Sequence, residues 1–277
     1  MVSKMKKGYL YLFITAFCWS TAGTFIRFNS QSGLLIACIG SVVALFFNLC
    51  FYRKQWKFNS TILAVAIFQV ICGITFIYAN QLTSVGNAIV LQYTSMIFVL
   101  IFESVDKRRL PMLRQLVIIA IVIFGMVLFF LDSISVKGMI GNALAIISGA
   151  FFGLQFYINT KPLADAYSST NISYCLTMLF LVFIFHDLFK VRSLEWGAML
   201  ASGVFQTALG GIFFAKGIKE VSAFTANVIC MSEIILAPLW TFILFHETIS
   251  IVSLFGAFII VLGILANIYI EFHQSTD

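Results

Sequence analysis

Apolar runs of about twenty residues alternate with short polar segments along this chain. A helix that crosses the hydrocarbon core of a bilayer, about 30 Å thick, needs about twenty mostly apolar residues at 1.5 Å rise each. Ten segments meet this standard or come close, so the pattern predicts an all-α integral membrane protein with ten transmembrane helices. We place these helices at residues 8–28, 33–51, 61–80, 84–102, 112–131, 139–159, 172–189, 194–214, 221–245 and 249–270.

Composition supports the membrane interpretation. Hydrophobic residues make up 61% of the chain and charged residues 10%, whereas a soluble domain carries about a quarter charged residues. The first apolar run contains Trp19 and lacks a small-x-small cleavage site, so we interpret it as a retained helix rather than a signal peptide. The net charge of +6 comes from short basic clusters between apolar runs, which favours a role in orientation over nucleic-acid binding.

Basic residues are unevenly divided between alternate loops. With the N-terminus inside, thirteen of the seventeen Lys and Arg residues fall on the cytoplasmic side. Cytoplasmic loops of membrane proteins carry such an excess, so we expect a multi-pass protein of the plasma membrane with both termini cytoplasmic. The four basic residues on the outer side are Arg27, Lys137, Lys190 and Arg192.

The chain contains a weak internal repeat. Segments of the first, third and fifth predicted helices align in the same order with segments of the sixth, eighth and tenth, at offsets of 133, 136 and 138 residues. This order predicts two similar five-helix halves, residues 1–134 and 135–277, within a single membrane domain. Because five is odd, the second half would enter the membrane from the opposite side, which gives two inverted repeats around a central cavity.

Three stretches carry a resemblance to a known family. They are FCWS at 17–20, AIVLQYTSMIFVLIF at 88–102 followed by DKRR, and MSEIILAPLWTFILFHE at 231–247. Together with the repeat, this pattern resembles the EamA-like branch of the drug/metabolite transporter superfamily over essentially the whole chain. The resemblance implies ten helices around a central cavity and transport of metabolites such as amino acids, amines or nucleoside-like compounds.

Glu233 is the most informative single residue, because it falls near the middle of the ninth predicted helix. An ionised side chain there costs about 2.5 to 3.5 kcal/mol, so Glu233 should face a cavity or a partner. We interpret it as a counter-ion for an amine or as a proton carrier; the alternative is a carboxyl group that fixes helix packing. Pro238 predicts a local bend one turn later. Trp240, on the same face, is a candidate contact for the solute or a packing residue.

Further candidates fall at a similar predicted depth. Trp19, Gln92, Tyr93 and Gln206 lie near the midpoints of their helices, and Tyr78 lies nearer an end, where it would line an entrance. An acid beside aromatic faces can hold an ammonium group by charge and cation–π attraction. The alternative for each side chain is an interhelical hydrogen bond or simple packing, which is also the role that we expect for Gly149 and Gly153.

These features predict a secondary transporter of a small cationic or zwitterionic solute, working by alternating access. We expect no cofactor, no metal site and no enzymatic activity; a membrane-embedded enzyme is the alternative, and a channel is less favoured. An enzyme would need clustered His, Asp or Cys at one depth, but none of the three histidines is mid-helix. His246 and Glu247 lack the second histidine of a metal motif. Expected partners are the solute, a coupled proton or ion, and the bilayer, with a monomer or homodimer.

Overall fold

The computed structural model describes residues 2–131, 138–246 and 250–274, and within these ranges the chain forms helices and no strand. The predicted boundary between the halves at 134/135, together with Lys137 and Glu247, lies outside the described residues. We number the ten helical stretches in chain order. They are α1 Ser3–Arg27, α2 Gly33–Tyr52, α3 Ser60–Leu82, α4 Val85–Lys107, α5 Leu113–Phe129, α6 Met139–Asn159, α7 Ala166–Lys190, α8 Ser193–Gly217, α9 Ala223–Phe245 and α10 Ile251–Gln274.

Length and hydropathy assign these helices to a membrane. Within the described part of the chain, nine of them have at least 18 residues and a strongly apolar window, and α5 is a shorter apolar helix of 17 residues. Many large apolar side chains remain exposed on the outside of the bundle, including Phe46, Phe183 and Phe258. A surface of this kind is stable against lipid tails and not against water, so the all-helical multi-pass prediction is confirmed.

Side-chain caps define where several helices begin. Asn59 accepts a hydrogen bond from N of Ile62 at the start of α3, at 2.8 Å. Asp165 accepts one from N of Ser168 at the start of α7, at 3.0 Å. This cap begins α7 at Ala166, six residues before the predicted start at residue 172. The prediction was wrong here because the polar run 168–171 is typical of a loop, whereas in the fold it is helical and buried.

The two halves pack in the same pattern. From the first half, α1 packs against α8 and α9 of the second half, and α2 packs against α8. From the second half, the equivalent helix α6 packs against α3 and α4, and α7 packs against α3. The remaining large contacts, α5 with α10 and α2 with α7, join helices that occupy equivalent positions in the two halves. Exchanging the halves therefore reproduces the contact pattern, whereas their opposite direction across the membrane stays a prediction.

Glycines allow the closest of these contacts. A Cβ atom built on Gly149 of α6 would lie 2.6 Å from the carbonyl oxygen of Gln92, and one on Gly153 would lie 2.6 Å from that of Ser95. Both distances are shorter than any normal carbon–oxygen contact, so only glycine permits this approach of α6 to α4. The small-xxx-small spacing of this pair predicts such packing.

Candidate functional site

Besides α7, which is interrupted at Leu179–Phe180, the two helices α4 and α9 are interrupted near their midpoints. The parts are Val85–Gln92 and Ser95–Lys107 in α4, and Ala223–Cys230 and Ser232–Phe245 in α9. At each interruption a hydroxyl group binds the carbonyl oxygen three residues earlier: Thr94 donates to Leu91 at 2.6 Å, and Ser232 donates to Ile229 at 2.7 Å. The two hydroxyls are 138 residues apart, which is one of the offsets in the sequence repeat. Equivalent helices are thus broken at equivalent places.

A carboxyl–phenol pair joins the two interruptions. The hydroxyl of Tyr93, which lies within the break of α4, donates a hydrogen bond to Oε1 of Glu233. Glu233 is in the first turn of the second part of α9, where the helix dipole favours a negative charge. Tyr93 is 1% exposed and Glu233 is only partly buried. The phenol is therefore fixed by packing, while the carboxyl group retains an open side.

An aromatic wall extends from this pair to α1. The ring of Tyr93 meets the ring of Phe152 edge-on, with centroids 5.9 Å apart, and Phe152 lies 6.1 Å from Trp19. Trp19 also lies 5.6 Å from Phe214. These contacts join Trp19, Tyr93 and Glu233 in one cluster, as the sequence predicts. A carboxylate beside electron-rich ring faces can attract a positively charged ammonium group.

Trp240 and Pro238 lie farther along α9. The indole N–H of Trp240 donates to Oγ of Ser20 at 2.9 Å, so this side chain fixes α9 against α1, next to Trp19. Pro238 lies inside the continuous segment Ser232–Phe245. The interruption of α9 lies before this segment, and a bend at Pro238 itself stays a prediction.

The other predicted candidates make different contacts. Gln92 immediately precedes Tyr93 in α4, but its side-chain amide points to α6, where it donates to Oγ of Ser148 at 2.9 Å. Gln206 accepts a hydrogen bond from Ser202 at 2.8 Å, within a wide helical turn of α8. Tyr78 is 46% exposed. The described contacts therefore join Glu233, Tyr93 and Trp19, whereas the described hydrogen bonds of Gln92 and Gln206 lead to other residues.

Two stretches of the sequence, residues 6–131 and 139–269, match the EamA-like transporter family, once in each half. The chain belongs to the EamA-like transporter family. It is therefore a multi-pass membrane transporter of the drug/metabolite type, and the predicted resemblance is confirmed.

Relatives and a solved structure agree with this assignment. The transporter is 23% identical to an uncharacterized transporter of Clostridium kluyveri, over 95% of this chain and 93% of that protein. It is also 23% identical to an uncharacterized transporter of Archaeoglobus fulgidus, over 94% and 96% of the two chains. A solved chain described only as the crystal structure of a protein has the same fold, with a TM-score of 0.75 at 16% identity, over 96% and 98% of the chains.

Sequence reasoning missed a buried polar pair in this EamA-like transporter. Ser95 and Asn227 exchange hydrogen bonds at 3.1 and 3.0 Å, and both side chains are completely buried. The pair joins the second part of α4 to the first part of α9, close to both interruptions. Asn227 lies within an ordinary apolar helix in the sequence, and the only available signal was that it is an amide in a membrane span.

Glu195 was also missed. It is 0% exposed and accepts hydrogen bonds from the backbone and side chain of Ser30, from Gln31 and from Arg192, at 2.6 to 3.0 Å. These contacts join the loop between α1 and α2 to the start of α8. In the sequence, Glu195 and Arg192 form an i, i+3 pair near a predicted helix end, which is typical of an exposed ion pair.

Proposed function

We propose that this EamA-like transporter carries a small organic solute with an ammonium group, and that Glu233 is the main polar contact of that group. The supporting observation is that Tyr93, at the interruption of α4, binds Glu233, at the interruption of α9, beside the aromatic wall. An ionisable residue within a membrane helix marks a solute or ion pathway by default. A discontinuous helix in turn exposes backbone polar groups only where it lines a cavity or is buried in protein.

The arrangement suggests how a solute would be held. Tyr93 occupies one oxygen of Glu233 and fixes the direction of the carboxyl group. The second oxygen is then available to an ammonium group, whose other side would lie against the face of Trp19 or Phe152. Amines, amino acids and sulfonium compounds share the positive centre that such a site attracts, so the proposal names this chemical class.

Glu233 can serve transport in two ways. It can bind the ammonium group directly, or it can take up a proton that competes with the solute for the same oxygen. Both roles are consistent with the contact between Glu233 and Tyr93. In either case, a gradient of the solute or of an ion would drive transport. We propose alternating access, with the halves moving against each other around this site and both termini in the cytoplasm.

Flux measurements in proteoliposomes test the proposal. A thermal-shift screen with amino acids, amines, nucleosides and sulfonium metabolites first finds a bound solute, because ligand binding to the folded state raises apparent stability. Glu233→Gln keeps the shape of the side chain and removes its charge, so we expect uptake of that solute, or its pH dependence, to be lost. Glu220→Gln is the matched control, since Glu220 lies in the loop between α8 and α9.

A second pair of variants separates the site from general stability. Tyr93→Phe removes only the hydroxyl that binds Glu233, so it should weaken uptake, whereas Tyr157→Phe at the end of α6 should not. Full uptake and an unchanged pH profile in Glu233→Gln would exclude Glu233 from the mechanism. Product formation without a gradient would favour a membrane-embedded enzyme over a carrier.

A further inference from the structure

A small cavity lies where the ends of four helices meet. It has a volume of about 140 Å³ and lies between the end of α4, the start of α5, the start of α9 and the end of α10. By the distribution of basic residues, this end of the bundle faces the cytoplasm. In both α4 and α9, the residues that line the cavity are at least two helical turns away from Tyr93 and Glu233. Its charged and amide lining consists of Glu103, Lys107, Arg114, Gln115, Asn267, Glu271 and Gln274.

Both carboxylates in this lining already accept hydrogen bonds. Glu103 accepts a hydrogen bond from Lys107 at 3.0 Å, one turn later on α4. Glu271 accepts hydrogen bonds from N of Ser222 at 2.9 Å and from the hydroxyl of Tyr9 at 3.3 Å. Neither acid contacts the remaining cation of the cavity.

That cation is Arg114, which is partly buried near the start of α5. Its guanidinium group donates to the thioether sulfur of Met112, and it forms no ion pair with the described residues. A thioether is a weak acceptor, so most of the five N–H donors of Arg114 remain available. Their planar arrangement matches the oxygens of a phosphate group.

The surroundings point to a lipid as the source of that phosphate. The outer face of α5 next to Arg114 is apolar and open: Leu113 is 77% exposed, Leu116 47% and Val117 48%. Acyl chains can cover this face while a headgroup enters the cavity. At about 30 Å³ per water molecule, the cavity holds the volume of roughly five waters, which suits a glycerophosphate headgroup and is too small for a whole lipid.

We propose that this cavity binds the phosphate headgroup of an anionic phospholipid of the cytoplasmic leaflet, with Arg114 as its main ligand. The lining holds two cations and two carboxylates, and Arg114 supplies the cation that no described carboxylate pairs, in the position where cytoplasmic-side pockets bind lipid headgroups. The exposed Arg108 and Arg109 lie in the adjacent loop, outside the cavity lining. The bound lipid would join the ends of α4 and α5 to α9 and α10, which belong to the other half.

Native mass spectrometry of the purified, delipidated transporter tests this proposal. The probes are phosphatidylglycerol, phosphatidylethanolamine and phosphatidylcholine, each at equal concentration, together with free glycerol 1-phosphate. We expect preferential retention of one phosphatidylglycerol molecule. Arg114→Gln should weaken this binding about tenfold or more, since it removes charge-assisted hydrogen bonds. Arg109→Gln is the matched control: it removes the same charge from the adjacent loop, outside the cavity, and should retain the lipid.

Each other outcome overturns the proposal. Equal binding of phosphatidylcholine would show that the anionic headgroup is not recognised. Equal binding of glycerol 1-phosphate would identify a site for a free anion. Equal loss in Arg114→Gln and Arg109→Gln would show that only the overall loop charge matters. If Arg114→Gln does not yield monodisperse protein, Arg114→Lys replaces it: it keeps the charge and loses the planar donor group, and unchanged lipid retention would likewise contradict the assignment.

Discussion

The close approach of α6 to the interruption in α4 depends on Gly149. Replacing it with alanine adds one methyl group, whose carbon would lie 2.6 Å from the carbonyl oxygen of Gln92 and 3.0 Å from that of Leu91. Both are backbone atoms of α4, immediately before Tyr93, and they cannot rotate away as a flexible side chain can. Gly149→Ala must therefore separate the two helices and displace Tyr93 from Glu233.

Gly73, in the middle of α3, provides the matched comparison, because a Cβ atom there has no neighbour within 4 Å. In both variants alanine gains up to about 1 kcal/mol of helix propensity over glycine. Only Gly149→Ala adds an overpacking cost, which is about 1–3 kcal/mol for an extra methyl group in a packed core. We therefore expect Gly73→Ala to be neutral or stabilising, and Gly149→Ala to be less stable than Gly73→Ala by about 1–3 kcal/mol.

Thermal unfolding in detergent measures this difference. For a chain of 150–250 residues, 1 kcal/mol corresponds to about 2–4 °C in Tm, so the two variants should differ by at least about 2 °C. Gly149→Ala should also reduce uptake in proteoliposomes more than Gly73→Ala does. Equal Tm values for the two variants would refute the claim that α6 and α4 are in contact through a glycine that tolerates no side chain.

Three further predictions concern the buried polar groups. Glu195→Ala removes five hydrogen bonds and should lower Tm more than Glu220→Ala in the partly buried loop between α8 and α9; equal shifts would contradict the burial of Glu195. Asn227→Leu leaves the Ser95 hydroxyl unpaired and should cost about 1–3 kcal/mol, whereas adding Ser95→Ala should restore part of the loss in a double-variant unfolding cycle. Burial raises the pKa of Asp165, but its contacts with Ser168 and Lys54 outweigh burial and leave the pKa below its usual value. The contribution of Asp165 to stability should therefore disappear as the pH falls below about 4. In acid unfolding, Asp165→Asn should flatten that decline in stability.

Hydropathy alone predicted the number and order of the helices, because spanning a bilayer imposes a length and composition on each segment. The predicted α6, residues 139–159, coincides with the observed helix. Helix starts were less accurate. Residues 168–171 carry polar side chains that are typical of a loop, yet they are buried against α2 and α3 in the fold, and only the tertiary contacts reveal this.

The interruptions in α4 and α9 had no clear local signal. Neither contains glycine or proline at the break, and Pro238, the residue that suggested a bend, lies within a continuous helical segment. Gln92 and Tyr93 illustrate a related limit. They are adjacent in the sequence and at one depth, but they point about 100° apart on a helix, so one meets Ser148 and the other meets Glu233. Depth can be counted from a sequence, whereas the direction of a side chain depends on neighbouring helices.

The most direct test of the whole account is the accessibility of Phe152, which lies between Trp19 and Tyr93 in the aromatic wall. Phe152→Cys would be introduced after replacement of the six native cysteines and treated with a membrane-impermeant maleimide from each face in turn. Alternating access around a central site predicts labelling from both faces, and protection from both by a saturating transported solute. Labelling from one face alone, or labelling that the solute does not reduce, would contradict it.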